Sequence, residues 1–261
     1  MEYDPLRRGV AEFVGTFTLI FAGAGSILTV TYMAGQVSGL PLAFGNLATL
    51  TAVALAHGLA IAVMVSAVGH VSGGHFNPAV TFGFLITRRI DPLLGAVYWA
   101  TQLVAATAAA LVLRAIYPGG IEATVHLGAP ALAPDFDPWQ GLVVEMVLTF
   151  FLVFVVFASA VDGRGTFKQI AGLAIGFTLT MGIFMGGPIT GAAMNPARAF
   201  GPELAGHFWG NAWIYYVGPL VGGGLAALVY DLLYLRPAQP EPVGPPESGV
   251  EEPAPGEAAG A

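Results

Sequence analysis

Two tripeptides carry the clearest chemistry in this chain, Asn77-Pro78-Ala79 and Asn195-Pro196-Ala197. Each heads a short apolar stretch, over 77–87 and 195–206. Asn is a good helix N-cap, and Pro fits the first helical position, where its missing N–H costs nothing. As helices these stretches are about 16–18 Å long, roughly half a bilayer, so they can enter a membrane without crossing it. A helix start in hydrocarbon leaves N–H groups without partners unless it lines a wet cavity. Two such starts predict a polar path through the protein. Where they meet, each Asn offers an amide donor pair and each helix N-terminus about half a positive charge. A cation or hydronium is repelled there, whereas a neutral water can accept from both amides, which interrupts a proton wire.

The segments leading into the two boxes, Gly73-Gly74-His75-Phe76 and Gly191-Ala192-Ala193-Met194, are too rich in Gly and Ala for ordinary helix. They are expected to be extended, with carbonyls lining the two half-paths, in particular those of Gly73, Gly74, His75, Gly191 and Ala193. Donors in the middle and acceptors along the walls suit small neutral hydrogen-bonding solutes.

The elements that position these boxes follow from composition. Of 261 residues, 56% are hydrophobic and 10% charged, against about 25% charged in a soluble domain. No Asp, Glu, Lys or Arg lies between Glu12 and Arg88. Six stretches are long and apolar enough to cross a bilayer, about 10–32, 47–68, 93–113, 142–161, 167–186 and 212–234, and lipid-facing backbone must be helical to satisfy its own hydrogen bonds. With six spans, Arg7, Arg8, Arg88, Arg89, Arg164, Lys168 and Arg236 share one side and Arg114 and Arg198 the other. That asymmetry puts both termini in the cytoplasm.

The halves repeat. Ala11-Glu12-Phe13-Val14-Gly15-Thr16-Phe17 matches Val144-Glu145-Met146-Val147-Leu148-Thr149-Phe150, and each half ends in one of the boxes and a third span. Three spans per half is an odd number, so the second copy is upside down and the half-helices enter from opposite faces. The expected organisation is a cytoplasmic N-terminus over 1–9, a channel domain over 10–236 with repeats at about 10–113 and 142–234, and a tail over 237–261. The tail has seven Pro and five Glu and no basic residue, and is expected to be a disordered, acidic cytoplasmic segment.

The net charge of −7 is largely that tail, since the rest has 9 basic and 11 acidic residues. Bulk electrostatic binding of nucleic acid is excluded. Without cysteine there is no disulfide, thiol catalysis or Cys-ligated metal. No metal site and no cofactor are expected, and the spans carry no nucleophile–base pair for an intramembrane enzyme.

The paired boxes, the second continuing to Arg198 and the first preceded by Ser72-Gly73-Gly74-His75-Phe76, together with Glu12 and Glu145, resemble the aquaporins of the major intrinsic protein family over about 8–236. The resemblance implies an all-α, right-handed bundle of six transmembrane helices and two re-entrant half-helices, with one pore per subunit of a homotetramer in membrane lipid. It implies a central constriction at the two boxes and an outer filter at His57, Ile183, Ala192 and Arg198. Those four are similar to the plant tonoplast branch and to the ammonia-permeable animal branch. The implied function is passive conduction of water and of ammonia, urea or hydrogen peroxide, with protons and ions excluded. Ala199 after Arg198, where glycerol channels typically have Asp, and Tyr215-Tyr216 near Gly218-Pro219 disfavour a dedicated glycerol facilitator, while Glu203 departs from the water-type pattern.

Other readings stand beside these. Arg198 could be a surface residue and His57 a core histidine bonded to a backbone carbonyl. Glu12 and Glu145 could form a proton relay or accept hydrogen bonds from the loops leading into the half-helices, the second being preferred. His75 is expected to brace its loop, and His70, His126 and His207 to be loop or interface residues. Gly218 and Gly222 mark close helix packing within the subunit, and Trp99, Trp139, Trp209 and Trp213 interfacial anchors or packing. Inverted repeats with broken helices also fit an ion-coupled secondary transporter. A chain rich in Ala and Gly and free of Cys is compatible with a bacterial inner membrane.

Overall fold

The computed structural model describes residues 3–36, 46–164 and 168–236. The expected tail over 237–261 lies outside them. Nine helices of five residues or more are described: α1 Pro5–Gln36, α2 Leu47–Ser72, α4 Pro92–Ile116, α6 Pro138–Val161, α7 Ala171–Thr190 and α9 Ile214–Leu235, each long and apolar enough to span a membrane, and the shorter α3 Pro78–Ile86, α5 Ile121–Val125 and α8 Pro196–Gly206. The first begins earlier than its apolar run, because Asp4 accepts from the Arg7 N–H at 3.0 Å and Pro5 opens the helix. Residues 5–9 are thus its first turns rather than a separate segment. It is also not uniform, since Leu19–Ala24 winds as π-helix.

The inverted repeat is visible in the packing. The central pair is α2 against α7, one from each half, and glycines bring their backbones together: a Cβ on Gly176 would lie 2.3 Å from the Gly58 carbonyl oxygen. The half-helix α8 packs on α4, where a Cβ on Gly201 would meet the Ala106 carbonyl carbon at 2.4 Å. Its counterpart α3 packs on α9, with Gly83 over Ala227. The pair α6 and α9 closes at Gly218 and Gly222, and a Cβ on Gly222 would sit 1.9 Å from the Met146 carbonyl oxygen. The expected close packing within the subunit is therefore present.

Large apolar side chains such as Leu59, Val63, Phe177 and Met185 stay exposed on the outer faces of α2 and α7, as lipid or a neighbouring subunit requires of a bundle without a water-facing belt.

Candidate functional site

Both half-helices start as their sequence dictates. Asn77 Oδ1 accepts from the Ala79 N–H at 2.8 Å, and Asn195 Oδ1 accepts from the N–H groups of Ala197 and Arg198 at 2.9 and 3.3 Å. Each Asn therefore caps its own helix with its oxygen and has its amide nitrogen left for other work. Asn77 Nδ2 donates to the Met194 carbonyl at 2.8 Å, and Asn195 Nδ2 donates to the Phe76 carbonyl at 2.9 Å. The two helix starts are thus tied crosswise, tip to tip. One hydrogen of each amide is spent on the opposite loop, so the donor pair expected at each Asn is reduced to one free N–H facing the cavity.

The loops behind the tips are not extended. Gly73, Gly74 and Phe76 have φ of 95°, 65° and 48°, and Gly191, Ala192 and Met194 have 83°, 45° and 50°. Left-handed residues at three of four positions turn consecutive N–H groups to one side and carbonyls to the other, a nest in which an anion can sit. That anion is a carboxylate from the leading helix of each repeat. Glu12 Oε1 accepts from Ser72 Oγ and the His75 N–H at 2.7 and 2.9 Å, and Oε2 from the Phe76 N–H and Gln102 Nε2 at 2.7 and 2.8 Å. Glu145 Oε1 accepts from Thr190 Oγ1 and the Ala193 N–H at 2.7 and 2.9 Å, and Oε2 from the Met194 N–H at 2.8 Å. Both carboxylates are fully buried. Burial is offset by these charge-assisted bonds.

Gly74, His75 and Ala193 line a central cavity together with Asn77 and Asn195. Gly191 lines a vestibule at the Arg198 end and Gly73 one at the opposite end. The central cavity is walled mostly by apolar side chains such as Leu19, Ile61, Val80, Leu152 and Leu179, and Arg198 is the one charged residue in that wall among the described residues.

Arg198 lines both the central cavity and the vestibule beyond it, so it stands at the neck between them. His57 lines the cavity beside it. Ile183 and Ala192, 1% and 2% exposed, belong to neither wall but sit between them: Ile183 follows cavity-lining Leu179 and precedes vestibule-lining Gly187 on one face of α7, and Ala192 lies between Gly191 and Ala193. The four positions thus lie where the cavity and the vestibule adjoin. His57 Nδ1 lies 2.8 Å from the Val53 carbonyl. A carbonyl can only accept, so Nδ1 carries the hydrogen of that bond. Nε2 of His57 and Nε and Nη1 of Arg198 are buried without a protein partner among the described residues. Both side chains thus keep buried, unpaired polar atoms at the neck.

Several participants have no signature of their own in the sequence. His75 braces its loop through Thr81 Oγ1 at 3.0 Å and against the rings of Phe84 and Tyr98. Tyr98 donates to the Ser72 carbonyl at 2.6 Å, and Trp99 to the Pro78 carbonyl at 3.0 Å, so Trp99 packs rather than anchors. His126, expected in a loop, stacks on Phe208 with ring centres 4.0 Å apart in the vestibule wall shared with Arg198. Ser72 and Thr190 were the findable ones, since they hold equivalent places before the two boxes.

Six apolar helices, two half-helices meeting inside the bundle and one polar path between them define a multi-pass membrane protein built around a pore. The major intrinsic protein family model matches residues 1–230, and the chain belongs to that family. It is 43% identical over 251 residues to probable aquaporin TIP3-2 of Arabidopsis thaliana, covering 96% of this chain and 90% of that protein. It is 44% identical over 238 residues to aquaporin TIP4-1 of Zea mays, covering 91% and 89%. The X-ray structure of the aquaglyceroporin from Plasmodium falciparum shares the fold, with a TM-score of 0.74 at 24% identity over 88% of this chain and 97% of that one. These two aquaporins are plant proteins, which runs against the bacterial inner membrane expected from composition, whereas the multi-pass membrane placement stands.

Proposed function

We propose that the chain is a passive channel for water and small neutral solutes, ammonia, urea and hydrogen peroxide among them, and that it excludes protons and ions. The observation that carries this reading is the crosswise tie of Asn77 and Asn195, which leaves one fixed N–H of each for a cavity walled mostly by apolar side chains. A water entering from either side accepts from both amides under two converging helix dipoles, so it cannot also accept a proton from its neighbour. At the neck, His57, Ile183, Ala192 and Arg198 act as the filter. Arg198 repels cations and donates to a solute oxygen, His57 Nε2 accepts from a solute N–H, and Ile183 and Ala192 supply width without polarity. The carbonyls of Gly73, Gly74, His75, Gly191 and Ala193 pass solutes along between.

Glu12 and Glu145 act as structural anchors of the two loops, because every carboxylate oxygen already accepts from them. That occupation also weighs against an ion-coupled transporter, which would need one of these carboxylates free at the midplane. The subunits assemble as homotetramers in the membrane with both termini in the cytoplasm, in keeping with Arg7 and Arg8 on α1, Arg88 and Arg89 after α3 and Arg236 after α9.

Stopped-flow light scattering on proteoliposomes tests the reading with water, urea, ammonia and glycerol against empty vesicles. Water and urea fluxes well above background are expected, with glycerol well below urea. Replacing His57 by Phe together with Ile183 by His is expected to cut urea flux more than water flux. Equal loss of all fluxes would mean that these side chains are not the sieve, and solute accumulation driven by a proton or sodium gradient would overturn the channel itself.

A further inference from the structure

The first span is irregular at the depth of the filter. Its π-turn runs from Leu19 to Ala24, and the Gly25 N–H reaches back five residues to the Ile20 carbonyl. Such a turn carries an extra residue inside one helical turn and recurs at functional sites. Here it lays buried Gly23 against the imidazole of His57. A Cβ on Gly23 would fall 2.5 Å from His57 Cδ2, 2.7 Å from Nε2 and 2.8 Å from Cγ, against a contact optimum of about 3.5–4.0 Å between carbons. The ring thus occupies the volume where a side chain of α1 would be.

His57 cannot yield backward. Its Nδ1 is held by the Val53 carbonyl at 2.8 Å. The adjoining Gly58 fastens α2 to α7, since a Cβ there would lie 1.9 Å from Thr180 Oγ1 and 2.6 Å from the Gly176 carbonyl oxygen. With its own helix pinned on one side and α1 on the other, the open direction left to the ring is the cavity, toward Arg198.

We propose that Gly23 is a specificity-determining position: the missing side chain on the π-turn of α1 sets how far His57 stands out of the path, and so sets the width of the neck between His57 and Arg198. Gly23 touches no solute and acts through the imidazole, so it is a positioning residue. The inference rests on the filter reading above.

The test is a double-mutant cycle in full-length, reconstituted protein, comparing Gly23→Ala, His57→Ala and the double variant for urea and water permeability. Gly23→Ala is expected to lower the urea-to-water ratio about fivefold, while in the His57→Ala background the same change moves it less than about twofold, because the clashing partner is gone. If Gly23→Ala does not fold but the double variant does, the clash is with the ring and the proposal holds. An unchanged ratio in folded Gly23→Ala, an equal fall in both backgrounds, or a double variant that also fails to fold would overturn it. Should His57→Ala alone leave the ratio untouched, the filter reading falls and takes this proposal with it. A ratio that responds to His57→Ala but not to Gly23→Ala sinks the role of Gly23 alone.

Discussion

At the scale of single residues, the site depends on two buried carboxylates that hold backbone rather than solute. Glu145 accepts two backbone N–H groups and one hydroxyl with both oxygens. Glu145→Gln would set an amide N–H against a backbone N–H and remove the charge from the remaining bonds, a cost of about 2–4 kcal/mol. The expected outcome is a lower thermal midpoint in detergent together with lower water flux per folded protein. A variant of unchanged midpoint that had lost only a proton-dependent activity would point to a relay instead. Arg198→Ala tests the neck from the opposite side. It removes a charge from the cavity wall, and urea flux is expected to rise several-fold, with cation leak measurable by a membrane-potential dye. No change in either would remove Arg198 from the filter.

At the scale of elements, small residues fix the helix distances, and their positions differ sharply in tolerance. Gly222→Ala would drive a Cβ to 1.9 Å from the Met146 carbonyl oxygen and is expected to destabilise the α6–α9 pair by about 2 kcal/mol or more. Gly35→Ala meets nothing within 4 Å and is expected to be neutral or slightly stabilising, by up to about 1 kcal/mol. Similar thermal midpoints for both variants would contradict the packing described. The end of α6 carries a clamp of a different kind. Asp162 accepts from Arg164 Nε and Nη2 at 2.9 and 2.6 Å and from Tyr230 Oη at 3.1 Å, while Arg164 also donates to the Tyr234 carbonyl. The Arg164 guanidinium holds the Asp162 carboxyl well below the usual carboxylate range. A depressed carboxyl stabilises the fold above its unfolded value, about 3.9, and loses that contribution only as pH falls through the lower folded value. The gap in thermal midpoint between wild type and Asp162→Asn is therefore expected to stay constant from pH 8 to 5 and to narrow only below about pH 4. A gap that closes near neutrality would show that the clamp titrates where the geometry says it does not.

The elements were legible in the sequence to differing depth. The six spans and two half-helices could be read because hydrocarbon thickness and N-cap chemistry act locally. Contacts across the chain could not. The tie from Asn77 to Met194 spans 117 positions, the bond from Gln102 to Glu12 spans 90, and nothing near Gly23 announces the ring of His57. The left-handed residues Phe76, Ala192 and Met194 were missed for a related reason. Their conformation is imposed by a carboxylate from another helix, and their own residue types do not favour it.

For the whole molecule, one inverted repeat does two jobs. It sends α3 and α8 in from opposite faces so that their positive ends oppose each other, and it supplies each loop with its own carboxylate, Glu12 or Glu145. The symmetry is incomplete at the proposed filter, since the repeat counterparts of His57 and Arg198 in the cavity wall are the apolar Ile175 and Val80. On the proposed reading, one neck selects while the midpoint interrupts proton transfer. That separation of water from protons is measured most directly in proteoliposomes carrying an internal pH dye. Osmotic water flux and proton flux under an imposed pH step are followed on the same vesicles. Water flux far above empty vesicles with proton flux no greater than theirs is the predicted result; proton flux that rises in step with water flux as protein is added would contradict it.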